Sequence, residues 1–253
     1  MHRLLGICCI GLFAAPFVSA QMDDYLDVFI VKVRPEKRAD FDTMGRKIAE
    51  ANRKAKGDTW VAAEVVYGEG PTINFISTRK DYAAADTAMT AFMSAVQEAY
   101  GPGGIKKMEM DFGNTIAGSR SEFRRRRLDL SVNAPKDAEA YAKLVGQARW
   151  LRTTRMAVRQ GQQAEFEQAV KLMKVAYEEN SPSWTIFVSQ TVAGEPGVIY
   201  YFTALQPSLA AFDSAPDPRK MMSEEAFLKW QKDSGETIAS SETTLLRIMP
   251  EMS

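Results

Sequence analysis

The feature that most constrains this chain is internal repetition. The order strand, helix, strand, Gly-containing turn, strand, helix, strand runs once from Leu26 and begins again about 125 residues later. Phe41 matches Phe166, Trp60 matches Trp184, Gly68-Glu69 matches Gly194-Glu195, Ala83-Ala84 matches Ala210-Ala211, and Ile116-Ala117 matches Ile238-Ala239. Offsets between these pairs stay between 122 and 127. Chance similarity does not preserve element order, turn chemistry and anchors together, so the chain reads as a tandem duplication of one βαββαβ unit.

Within the first copy, Leu26 to Val33 is β-branched and apolar on both alternating faces, which predicts a strand buried on both sides. Phe41, Met44, Ile48 and Ala51 recur at helical spacing over 36–54. Strands are expected at Thr59–Tyr67 and Thr72–Thr78 around the turn Gly68-Glu69-Gly70-Pro71, followed by a helix capped by Asp81 that runs to Tyr100. The loop Gly101 to Gly104 then leads to a last strand near Phe123–Val132. The second copy predicts strands at Leu151–Arg159, Trp184–Val192, Val198–Leu205 and Thr243–Met249. Its helices are expected over Gln162–Asn180 and from Pro207 to Ile238. Residues 21–132 and 150–253 are thus two repeats, joined by a polar connector at 133–149 with a short helix near Ala140–Gly146.

Residues 1–20 have the layout of a secretory signal peptide: a basic start with Arg3, an apolar stretch from Leu4 to Ala15, then Pro16 and Val18-Ser19-Ala20. Cleavage is expected between Ala20 and Gln21, giving an exported, periplasmic or extracellular protein. Cys8, Cys9 and His2, the chain's only Cys and His residues, lie inside that segment. The part after it must fold on its core alone, and it is long enough to do so. Without Cys or His it cannot build an ordinary zinc site, a histidine-ligated haem site, or a Ser-His-Asp or Cys-His arrangement. Acid–base work falls to Asp, Glu, Lys or Tyr. Removing Arg3 from 32 basic and 32 acidic residues leaves a charge near neutrality, so no global field favours nucleic acid or an anionic membrane. No metal and no cofactor are expected. Binding to a membrane after cleavage is not expected, and the molecule is a monomer or homodimer.

Two similar βαββαβ units in one chain, each opening on a strand, a Pro or Gly turn and a helix bearing Phe, resemble the dimeric α+β barrel superfamily. The residues that carry the resemblance are Val31 to Pro35 with Phe41, and Val158 to Gly161 with Phe166. The superfamily includes the antibiotic-biosynthesis-type monooxygenases and the NIPSNAP-like proteins. The resemblance implies an α+β fold in which two ferredoxin-like antiparallel sheets pack face to face, with helices outside and a pocket between. Duplication would then close the barrel within one chain. It also implies that haem-binding members, which use a proximal histidine, are not the model for this chain, while cofactor-free oxygenases are compatible with it.

Arg124 to Arg127 form the sharpest local feature. Strand alternation puts Arg124 and Arg126 on one face and Arg125 and Arg127 on the other. A pair facing the barrel would clamp a carboxylate or phosphate, and the alternative is a solvated strand end paired with surface acids. Trp60 and Trp184 occupy equivalent places and suit either shared packing or ring stacking. Glu64, Asn74, Arg126, Arg155, Tyr200 and Tyr201 are polar or amphipathic residues in strands whose inner face would line a pocket, and with the two tryptophans they make the candidate ligand contacts. The scattered methionines read as core filler. Two functions fit: a non-catalytic exported module binding a small apolar or carboxylated molecule or a partner, or a cofactor-independent oxygenase or isomerase acting on an aromatic or polyketide-like substrate. Aromatic residues lining a void would favour the enzyme; aromatic residues packed solid would favour the module.

Overall fold

The structure, a computed structural model, describes residues 24–253 apart from Pro182. The expected signal segment and its cleavage site lie outside the described residues. The eight strands are β1 (Tyr25–Val33), β2 (Val61–Tyr67), β3 (Thr72–Arg79), β4 (Ile116–Arg126), β5 (Trp150–Val158), β6 (Phe187–Ala193), β7 (Val198–Gln206) and β8 (Ile238–Ile248). The helices are α1 (Arg38–Lys54), α2 (Tyr82–Tyr100), α3 (Gly104–Thr115), α4 (Ala138–Gln147), α5 (Gln163–Asn180) and α6 (Glu224–Thr237).

Every strand pairing is antiparallel, and the eight strands close into a barrel in the order β1-β3-β2-β8-β5-β7-β6-β4. Each half contributes four strands in ferredoxin-like order, β4-β1-β3-β2 and β8-β5-β7-β6. The halves meet at the two seams β2–β8 and β4–β6, so the duplication closes the barrel inside one chain. Closure leaves no sheet edge unpaired.

The doubly apolar β1 follows from this closure. Val31 and Val33 point outward into a core with Phe41, Met44 and Ile48 of α1, while Leu26 and Ile30 face the barrel interior. Phe166 on α5 plays the part of Phe41 in the second half, packing against Tyr200, Val188 and Leu130. Asp81 caps α2 by accepting from the Ala84 amide at 2.8 Å, as its position suggests.

Three elements differ from expectation. Strand β4 begins at Ile116, seven residues before Phe123, and ends at Arg126. Its first half, Ile-Ala-Gly-Ser-Arg-Ser-Glu, is too polar to register as a strand, yet it pairs along β1 from Val33 to Val28. The matched strand β8 likewise starts at Ile238, so the Ile-Ala anchors of both copies open their last strands. Helix α3 follows Gly103, whose φ of 74° lets the chain turn, and it lays Ile105, Met108 and Phe112 on the α1 core. Finally, residues 207–223 hold two short 3₁₀ turns before α6, because Pro216 and Pro218 prevent a continuous helix. The second sheet therefore carries a thinner outer layer than the first. Among the described residues no helix is long and apolar enough to cross a membrane.

Candidate functional site

The barrel is hollow. Its interior holds a cavity of about 600 Å³ that opens to solvent, within the size range of small-molecule sites. One wall is apolar: Leu151, Leu246, Val65 and Ile76 cluster across the adjacent strands β3, β2, β8 and β5. The opposite wall is charged and comes mainly from β4, whose even-numbered residues point inward.

Glu122 sits at the centre of that wall with its side chain fully buried. Arg120 donates from Nε to its Oε1 at 2.9 Å, and Arg124 donates from Nε to Oε2 at 2.8 Å. Burial alone would raise the Glu122 carboxyl, but the Arg124 and Arg120 guanidiniums outweigh it and hold the group below the usual carboxylate range. Arg120 also reaches Glu195 in the β6–β7 turn at 3.2 Å, and Glu195 accepts from Nε of Arg155 at 2.9 Å. Glu195 is placed by Gly194, which has φ +101° and passes so close to β4 that an added Cβ would lie 2.2 Å from the Ser121 carbonyl. Only glycine fits there.

The Arg124 guanidinium lies over the Tyr201 ring at 3.4 Å from its centroid. Tyr201 is 4% exposed, and its hydroxyl is buried without a hydrogen-bond partner although Glu122 and Arg155 are near. Burial, opposed by Arg124 and reinforced by Glu122, pushes that hydroxyl up to about 12, so it stays a proton donor. Arg126 closes the same wall, 4.4 Å from the Tyr141 ring of α4 and 5.9 Å from Phe187.

Of the residues singled out from sequence, Asn74, Arg126, Arg155 and Tyr201 line this cavity. Trp60, Glu64, Trp184 and Tyr200 lie outside it, on the helix-facing side of the sheets. Trp60 packs edge-on to Phe92 and donates to the Met252 carbonyl at 2.6 Å, whereas Trp184 packs against Phe212. Glu64 bonds Arg38 of α1 and Arg247. Tyr200 donates to Glu167 of α5, which also takes two bonds from Arg127. Strand alternation explains the split between Tyr200 and Tyr201: adjacent residues face opposite sides.

The Arg127–Glu167 bonds, working against burial and aided by Tyr200, hold the Glu167 carboxyl down to about 2. A depressed carboxyl contributes stability that is complete above its ordinary value of 4.5 and is lost as pH falls toward 2. Chemical denaturation from roughly pH 6 to pH 3 is expected to show a shallower acid loss in Glu167→Gln than in the native chain. Equal slopes would mean the network adds no acid-sensitive stability.

Arg120, Glu122 and Glu195 are the site residues that sequence reasoning did not put forward as contacts, and Arg124 was weighed only as half of a clamp pair with Arg126. Their signal was the alternation Arg120, Glu122, Arg124, Arg126, which becomes legible once β4 starts at Ile116. The duplication also did not yield two sites. The positions in β8 that match Arg120, Glu122, Arg124 and Arg126 hold Glu242, Thr244, Leu246 and Ile248, and the last two fill the interior with hydrocarbon. A single shared cavity, charged on one side, is the result.

Comparison with solved structures decides the architecture. A proposed monooxygenase of Lactobacillus acidophilus superposes with a TM-score of 0.53 at 10% identity, covering 89% of this chain and 94% of that one. An anthrone oxidase-like protein gives 0.55 at 11% identity over 92% and 94%, and a proposed chlorite dismutase gives 0.51 at 13% over 92% and 97%. The chain has the dimeric α+β barrel fold. No family model and no curated protein matches it. At these identities the likeness concerns the barrel alone. A histidine-ligated haem does not fit this barrel, since residues 24–253 contain neither His nor Cys. Among the described residues no group of three or more His, Cys, Asp or Glu could hold a metal ion.

Proposed function

We propose that the barrel binds a small aromatic or conjugated molecule and oxidises it with molecular oxygen, without a cofactor. The observation that carries this reading is the partly open barrel cavity of about 600 Å³ with hydrocarbon on one wall and Arg124 stacked on Tyr201 on the other. The oxygenase-like proteins of the same fold add support from architecture only.

Such chemistry needs an electron-rich anion held away from bulk water. A substrate CH₂ flanked by aromatic or carbonyl groups loses a proton to give a stabilised carbanion, and guanidiniums beside the developing oxyanion favour that ionisation. The anion then reduces O₂. In balance, R₂CH₂ and O₂ give R₂C=O and H₂O, with one oxygen atom in each product. Glu122 is held ionised by two arginines and Tyr201 is held protonated, so this wall stabilises charge and leaves proton removal to the substrate's own acidity and to water at the mouth. The same observation favours a second reading, in which the barrel binds its ligand and does no chemistry.

Anthrone, incubated with the protein in an oxygen electrode, separates the two. One O₂ consumed per anthrone, with a product one oxygen heavier and two hydrogens lighter, is expected. Binding without oxygen uptake would establish the carrier, and neither binding nor uptake would sink both readings for this substrate class. Export through residues 1–20 is part of the proposal, supported by their basic, apolar and small-residue layout. Protein for the assay is therefore taken from the exported fraction, where its mass also reports whether the chain begins at Gln21.

A further inference from the structure

Inside the cavity, Arg155, Glu195, Arg120, Glu122 and Arg124 form one continuous line of alternating charge. The links are Arg155 to Glu195, Glu195 to Arg120, Arg120 to Glu122 and Glu122 to Arg124. Three cations alternate with two anions, so the line carries one positive charge more than it neutralises. Its members run from half-exposed Arg120 to fully buried Glu122, with Arg124 and Glu195 almost as deep. Among the described residues, the remaining charges around the mouth do not form ion pairs that cancel this excess. Lys32 and Glu69 neutralise each other; Glu242 stands opposite Arg155 in the β5–β8 register, but it is exposed to water that screens it, whereas Arg155 is ion-paired to Glu195. Arg126, farther along β4, has interactions of its own, with Tyr141 and Phe187 among its neighbours, and does not count toward the excess.

A buried charge without a complement is costly, and an odd-numbered line of this kind is completed by one anion. A second, independent feature points the same way. The Tyr201 hydroxyl, on a side chain 4% exposed, lines the cavity beside Arg124 and has no partner. It is a donor awaiting an acceptor, in the place where the line has spare positive charge. We infer that the ligand is a planar monoanion whose carboxylate or ionised hydroxyl oxygen accepts from the Tyr201 hydroxyl beside the Arg124 guanidinium. Its ring lies against Leu151, Leu246, Val65 and Ile76. This deepens the proposed function by naming the charge of the molecule that site takes, and it rests on that reading's assignment of the cavity as the binding site.

Isothermal titration with naphthoate, naphthamide and a naphthalene dicarboxylate tests it, since the three share a ring and differ in charge. Naphthoate is expected to bind once per chain and about tenfold more tightly than either the amide or the dianion. Equal or tighter binding of the amide or the dicarboxylate overturns the proposal. In Tyr201→Phe, which keeps the ring under Arg124, naphthoate affinity is expected to fall about tenfold while amide affinity changes less than twofold. A parallel loss for both probes, or no loss for naphthoate, removes Tyr201 from anion recognition. Oxygen uptake fails separately: naphthoate binding as expected with no uptake on anthrone leaves this proposal standing and rejects the oxygenase. Anthrone turnover without naphthoate binding does the reverse.

Discussion

Replacement of Glu122 by Ala is expected to destabilise the barrel by about 3–5 kcal/mol, the usual cost of removing one partner from a buried ion pair. The carboxylate is fully enclosed and accepts from both Arg120 and Arg124. Without it, Arg124 remains buried with its charge opposed only by the face of Tyr201, and Arg120 retains Glu195. Arg120 can turn to solvent, whereas Arg124 cannot, so most of the penalty belongs to Arg124. A chain of this size should lose on the order of 10 °C in melting temperature. The double change Glu122→Leu with Arg124→Met is the informative companion. It removes both charges and fills similar volume, so stability should return most of the way even though the cavity has lost its charged wall. A loss below about 1 kcal/mol in the single variant would mean that water reaches Arg124 and that the wall is solvated. The single and double variants together therefore separate a need for charge balance from a need for packing.

The fold was legible in the sequence because it is specified twice. Hydrophobic periodicity identified β1, α1, β5 and α5, and the matched Gly-Glu turns located both hairpins; two copies of one weak pattern constrain a topology more than one strong pattern does. What escaped was the part of each copy that obeys a different constraint. The first half of β4 is polar on one face because it lines a cavity and on the other because that stretch is exposed, so apolar periodicity does not mark it. Residues 207–223 carry 3₁₀ turns in place of an α-helix because the duplicated copy has diverged there, and a repeat argument carries the first copy's helix forward. The candidate site was half legible. Asn74, Arg155 and Tyr201 stand out as polar residues in buried strands, and Arg126 follows from strand alternation. Trp60, Trp184 and Tyr200 have the same composition signal but face the helices, and a single-residue shift in facing decides between the two outcomes. Glu195 was read only as a turn residue, since its contacts to Arg155 and Arg120 bring together positions 40 and 75 residues apart in the chain.

The barrel's asymmetry directs the choice of residue for a test of chemistry. Duplication supplied two equivalent last strands, yet β4 presents Arg120, Glu122, Arg124 and Arg126 to the interior and β8 presents Glu242, Thr244, Leu246 and Ile248. If oxidation occurs, the oxyanion must develop against β4, and Arg124 is the cation fixed there, 8% exposed at its side chain and pinned by Glu122 and Tyr201. Arg124→Met keeps the length and volume of the side chain and removes its charge and donors. Loss of one such preorganised donor is expected to lower kcat/KM for oxygen uptake on anthrone by about 10²-fold, the effect appearing in kcat because the oxyanion forms only as the reaction proceeds. Arg125→Met is the matched control one residue along, where the side chain is exposed on the other face of β4. Its rate should stay within about twofold of the native value, as surface changes away from a site usually do. Circular dichroism of both variants establishes that each is folded at the assay temperature. Equal losses in the two would attribute the effect to general electrostatics, and no loss in Arg124→Met would remove the charged wall from the reaction.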